Sequence, residues 1–140
     1  MKYSESTDYL QHMHHKVNGD FGAAKESLKL CLDHPDFRND PIQHADLLQR
    51  LGELCFLDGQ VREALKYYEQ SEQADPDSLL VKYHFAEFLG FRMGDKQSAI
   101  DKCDVIILEA RSRPFPETED DISSDAYLRK AEQLKASLLL

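Results

Sequence analysis

Gly19 with Ala24, Gly59 with Ala64 and Gly94 with Ala99 repeat one Gly-x4-Ala spacing at intervals of 40 and 35 residues. Each pair opens a stripe of apolar residues at helical spacing: Phe21, Ala24, Leu28 and Cys31; then Val61, Ala64, Leu65 and Tyr68; then Ala99, Ile100, Cys103, Ile106 and Ile107. Upstream of the central glycine, a helix is predicted over about residues 41–58, with Leu48, Leu51 and Cys55 three and four positions apart on one face. Gly52 lies on that face and lets a second helix approach closely, while Gly59 ends the helix in the left-handed conformation. Such a helix pair cannot cover its own apolar surface. It requires neighbours of the same shape, which confines the chain to a stack of helix pairs.

The markers of the central unit, Leu48, Leu51, Gly52 and Cys55 followed by Gly59, Ala64, Tyr68 and Pro76, give the spacing L-x2-L-G-x2-C, A-x3-Y, P. Over roughly residues 45–78 this resembles the tetratricopeptide repeat (TPR) family. A Leu stands where Trp is usual, Cys55 where Tyr is usual, Tyr68 where Phe is usual and Ser71 where a small residue is usual. The resemblance implies an all-α superhelix of about three helix pairs with a C-terminal capping helix, forming a single domain over residues 1–140. Repeat 1 is placed at about 4–34, repeat 2 at about 41–76, repeat 3 at about 77–111, a linker at 112–122 and the capping helix at about 123–140. It also implies recognition of a peptide or protein segment in a concave groove made by the first helix of each pair. Aligning Gly52 with Ala86 nominates Gln49, Arg50 and Glu53 with Tyr83, His84 and Glu87 as the groove residues.

The flanking repeats depart from the pattern. In the third, Phe85, Ala86 and Leu89 fit the first helix, but Ala86 to Gly94 is one residue longer than Gly52 to Gly59. A bulge or bend at Gly90 absorbs the extra residue on this reading. In the first, Leu10, Met13 and Val17 make a thin apolar stripe among Gln11, His12, His14, His15 and Lys16, the pattern of a polar terminal repeat with its imidazoles in solvent. The connection 34–41 accounts for the longer first interval and reads as a surface insertion, ended by Asp40 as N-cap and Pro41 in the first helical turn. Pro114 and Pro116 break the chain after the third repeat. A last helix from about Ser124 then places Tyr127, Ala131, Leu134 and Leu138 on one face, laid over the third repeat.

A net charge of −9 disfavours nucleic acid, because the basic residues are scattered and Arg111 and Arg113 are followed by acids. No apolar run reaches a membrane span and MKYSESTDYL lacks a signal-peptide core, so a cytoplasmic protein is expected. Cys31, Cys55 and Cys103 fall on apolar stripes without C-x-x-C spacing, as reduced packing residues. Phosphate-loop, nucleophile-elbow, paired-His zinc and dinucleotide glycine motifs are absent, so the chain is read as a non-catalytic adaptor without cofactor. Two alternatives stand beside this. One is a small acidic chaperone resembling the TPR chaperones of type III secretion, on length and charge. The other is a metal-dependent sensor or enzyme in which His12 and His15, with His14 nearby, recruit His44 or Asp8. The TPR domains that clamp acidic chaperone tails use lysines, asparagines and an arginine where this chain has Tyr9 or Met13, Arg50, Leu80 and His84.

Overall fold

A computed structural model describes residues 1–140 and is all-helical. The helices are α1 (Thr7–Val17), α2 (Phe21–Asp33), α3 (Pro35–Arg38), α4 (Pro41–Leu57), α5 (Val61–Ala74), α6 (Leu79–Glu87), α7 (Lys96–Ser112) and α8 (Ser124–Leu138). A 3-10 turn, Tyr3–Glu5, precedes α1, and a π-helical segment, Phe88–Arg92, continues α6. No helix is long and apolar enough to cross a membrane. The chain divides into two compact units, Met1–Ser78 and Leu79–Leu140.

In the first unit α1 pairs with α2 and α4 with α5, and α2 packs on α4. The turns are glycine-dependent: Gly19 and Gly59 have φ of 75° and 79°, where a side chain would be strained. Gly52 allows the close crossing of α4 and α5, since a Cβ there would lie 3.0 Å from the Tyr68 ring and 3.3 Å from the Ala64 carbonyl oxygen. Ala64 is wholly buried at that crossing, and the Ser71 hydroxyl donates to the Ala45 carbonyl. Asp40 caps α4 by accepting from the backbone N–H groups of Ile42 and Gln43, at 3.1 and 3.4 Å.

Leu47, Leu51 and Leu54 of α4 join Tyr9, Ala24, Leu28 and Cys31 in one core cluster, and this is how the second helix pair stacks on the first. Forty positions earlier, in the register set by Gly19 and Gly59, the equivalent residues of α1 are Thr7, Gln11 and His14, all exposed. That face of α1 is therefore polar where α4 is apolar, and it needs no further pair against it.

Two expectations for this unit are corrected. Residues 34–41 are not merely a surface insertion: they include the one-turn helix α3, whose Phe37 is fully buried in the core cluster. The stripe Leu10, Met13 and Val17 is exposed, whereas Tyr9 and His12 are the buried residues of α1. His12 is thus not a solvated imidazole. Its Nδ1 lies 2.8 Å from the Tyr9 carbonyl oxygen and its ring tilts against the Tyr9 ring at 4.7 Å.

In the second unit α6 and α8 both pack on α7, and α6 also meets α8. The extra residue predicted near Gly90 appears as the π-helical segment Phe88–Arg92, and Gly94 follows with φ 71°. Gly90 is where α8 seats: a Cβ there would lie 2.6 Å from Leu138 Cδ2 and 3.2 Å from the Ala99 Cβ. Tyr127, Ala131, Leu134 and Leu138 are buried, so α8 seals the α6–α7 pair. Lys135 and Asp104 add an ion pair between α8 and α7 at 2.6 Å.

Candidate functional site

The three nominated residues of α4 take different places. Gln49 is only 4% exposed and does not face a groove, because it lies 100° around the helix from Arg50, on the side of Ala45 and Gly52. Glu53 is on the outer side and holds Lys16 of α1 at 2.9 Å. Arg50 is half-buried beneath the N-terminal segment. Its Nε donates to the Tyr3 hydroxyl at 3.1 Å, and its guanidinium carbon sits 5.8 and 5.6 Å from the ring centres of Tyr3 and Tyr9. The two Nη groups of Arg50 make no hydrogen bond or ion pair within the chain, and the side chain is 37% exposed.

Around Arg50 the chain builds a polar cluster from residues far apart in sequence. The Tyr3 hydroxyl donates to the Asp46 carboxylate while accepting from Arg50, and Asp46 lies 3.9 Å from the Arg50 Nε. Burial first, and then the Asp46 charge, push the Tyr3 phenol above its ordinary pKa, so it remains a neutral donor. One turn earlier, the Gln43 side-chain amide holds the backbone of the same segment. Its Oε1 accepts from the Tyr3 N–H at 2.7 Å, and its Nε2 donates to the Met1 carbonyl at 3.1 Å and to Asp40 at 3.0 Å. The Tyr3 ring meets Tyr9 edge-on at 5.0 Å and Phe37 at 6.4 Å.

Because Tyr9 meets Arg50 and Lys16 meets Glu53, α1 and α4 run side by side in the same direction. Next to these contacts α1 carries its exposed stripe, Leu10, Met13 and Val17, at 57%, 42% and 82% exposure. These are the positions equivalent to Arg50, Glu53 and Leu57 of α4, forty residues on. The face shared by the two first helices is thus apolar on α1, while on α4 it is polar at Arg50 and Glu53 and apolar at the exposed Leu57. Thr7, Leu10, Gln11, His14 and His15 line a shallow open depression at its edge.

On α6, in the other unit, Tyr83, His84 and Glu87 are grouped together. His84 Nδ1 lies 3.3 Å from Glu87, the rings of Tyr83 and His84 meet edge-on at 5.9 Å, and the Lys130 Nζ of α8 sits 5.3 Å over the Tyr83 ring. Burial and then Glu87 raise the Tyr83 phenol pKa.

No group of three or more His, Cys, Asp and Glu side chains is placed to hold a metal ion. His44 is half-buried with its Nδ1 unpartnered, and burial together with Arg38 lowers its pKa. Cys31, Cys55 and Cys103 are buried free thiols whose pKa values burial raises, to about 11 for Cys103.

The participants that sequence reasoning missed are Tyr3, Gln43 and Asp46, together with the α1 stripe as an outer rather than an inner face. The repeat register contained a signal for the stripe, since it equates Leu10 with Arg50. No curated protein matches the chain in sequence. The tetratricopeptide repeat family model matches residues 45–78, the span that contains Gly52, Gly59, Ala64, Tyr68 and Pro76. Residues 45–78 thus form a tetratricopeptide repeat within an all-helical chain whose other helices also pack in adjacent pairs.

Proposed function

We propose that the protein is a non-catalytic adaptor that binds a peptide or protein segment on the outer face of its first helices. The observation that carries this reading is the exposed stripe Leu10, Met13 and Val17 alongside Arg50, whose Nη donors are unused. An apolar strip beside a guanidinium with free Nη donors suits a partner that presents apolar side chains and a carboxylate or backbone carbonyls. In the second unit, taken by itself, His84 and Glu87 with Tyr83 as an aromatic anchor form a separate candidate patch for a protein segment. The net charge of −9 favours a neutral or basic partner over an acidic one. The second helices offer a different surface: the outer side of α5 carries Arg62, Glu63, Lys66, Glu69 and Gln70, which read as a solvated face.

The test is comparative capture from native lysate with three full-length baits. Wild type and an α5-face variant, Lys66→Ala with Glu69→Ala, should retain the same partner. Met13→Asp with Arg50→Ala should lose it by tenfold or more. Retention by the first-helix variant would reject this face as the binding surface.

A further inference from the structure

Residues 1–6 lie on α4 in the manner of a bound peptide. Their backbone is gripped at two points by one side-chain amide, Gln43, which accepts from the Tyr3 N–H and donates to the Met1 carbonyl. The Tyr3 side chain gives its phenol proton to Asp46 and receives the Arg50 Nε. A phenylalanine would leave both charged partners without that hydroxyl. Met1, Lys2, Ser4 and Glu5 are exposed, Tyr3 sits at the margin of the core cluster, partly buried, and Ser6 caps α1 by accepting from the Tyr9 N–H, with its hydroxyl 3.4 Å from the Cys31 sulfur. The 3-10 turn Tyr3–Glu5 contains no fully buried residue, and segments with so little buried surface are among the first parts of a fold to open.

We propose that residues 1–6 are a built-in occupant of the binding face on α4, and that they compete with a partner segment that presents a tyrosine in a similarly turned stretch of backbone. The partner's phenol takes the place between Asp46 and Arg50, and its backbone takes the Gln43 amide. The proposal rests on the first-helix reading above and narrows it to a ligand chemistry. Arg50 is then a shared residue, satisfied by Tyr3 in the resting chain and by the partner's tyrosine in the complex. Its Nη groups stay available in both states for a neighbouring carbonyl or carboxylate.

The probe is a fluorescently labelled peptide of residues 1–8, MKYSESTD, titrated by anisotropy against full-length wild type and full-length Tyr3→Ala. A tethered segment acts at an effective concentration on the order of 1 mM. If the free peptide binds the vacated face with a Kd of about 0.1 mM, wild type should bind it about tenfold more weakly than Tyr3→Ala. A peptide with Phe in place of its tyrosine should bind Tyr3→Ala several-fold more weakly, and Tyr3→Ala combined with Gln43→Ala should bind neither peptide. Circular dichroism of each variant establishes that the helices remain folded. Equal affinities for wild type and Tyr3→Ala, or no binding to folded Tyr3→Ala at 1 mM peptide, overturns the proposal. A concentration-dependent dimer of wild type that Tyr3→Ala abolishes also overturns it, because the segment would then be exchanged with a second copy.

The lysate capture distinguishes this failure from failure of the broader reading. If Met13→Asp with Arg50→Ala loses the partner but Tyr3→Ala neither binds peptide nor captures more partner, the first-helix face stands and the occupant idea falls. If peptide binds Tyr3→Ala but the partner ignores the first-helix variant, the segment is a true occupant of a face used for something else.

Discussion

Phe37→Ala tests whether residues 34–41 are part of the core. The side chain is fully buried, stacked on the His34 ring at 4.8 Å and edge-on to Tyr3 at 6.4 Å, within the cluster that includes Leu28, Cys31 and Leu47. Truncating a buried phenyl to a methyl costs its transfer free energy plus that of the cavity left behind, about 3–5 kcal/mol together. How far the site collapses decides where in that range the value falls. Here α3 is fixed at both ends: the His34 ring accepts from the Asp36 N–H at 3.2 Å, and Asp40 is bound to the first turn of α4. Collapse is therefore limited, and a loss of about 3–4 kcal/mol is expected. Urea unfolding followed by far-ultraviolet circular dichroism measures it, with exposed Arg38→Ala as a control expected to change stability by less than about 0.5 kcal/mol. If Phe37→Ala also falls within about 0.5 kcal/mol of wild type, α3 is a surface decoration and the core assignment of Phe37 is wrong.

Three further outcomes follow from other packing points. Ala64→Leu, at a position with no exposure where α5 crosses Gly52, should destabilise by about 1–3 kcal/mol by overpacking, and an unchanged denaturation midpoint would reject that crossing. Deleting residues 122–140 should strip Tyr127, Leu134 and Leu138 from the second unit and cause self-association, which light scattering after size exclusion detects; a monomer with unchanged melting would mean α8 is a detachable tail. His12 and His44 both have pKa values lowered by burial, so below about pH 6.5 the unfolded chain takes up protons that the folded chain refuses, and stability falls as pH drops from about 6.5 towards 5. His12→Gln and His44→Gln should each flatten that decline, and an identical slope in both variants would count against the buried imidazoles as its source.

Glycine was the most legible part of this fold. Gly52, Gly59 and Gly90 each had a stated backbone reason in the sequence, and the structure supplies the tight crossing, the left-handed turn and the π-helical segment. Such signals are local: spacing within one helix pair decides them. Phe37 was missed for the opposite reason. A single aromatic among His34, Pro35, Asp36, Arg38, Asn39 and Asp40 has no period, and its burial depends on α2 and α4 closing over it. Helical spacing likewise found the apolar face of α1 but could not say whether that face turns inward. Burial went to Tyr9 and His12 instead, and an amphipathic side chain satisfied by a backbone carbonyl serves in a core as well as Leu does.

The α4 cluster shows why the site was harder to read than the fold. Repeat register nominates Arg50 as a groove residue on the first helix of its pair, because register determines which way a helix position points. Its state was not readable, because that depends on Tyr3, a residue 47 positions away in a segment outside every repeat. Isolated on α4, Arg50 would be a solvated cation with Asp46 at i−4, an arrangement worth a few tenths of a kcal/mol. With Tyr3 above it, the same pair becomes a partly dehydrated cluster in which one hydroxyl answers both charges. Removing that hydroxyl leaves a partly buried carboxylate and guanidinium without the group that joins them. The repeat thus sets which way Arg50 points, while a segment outside the repeat sets what meets it.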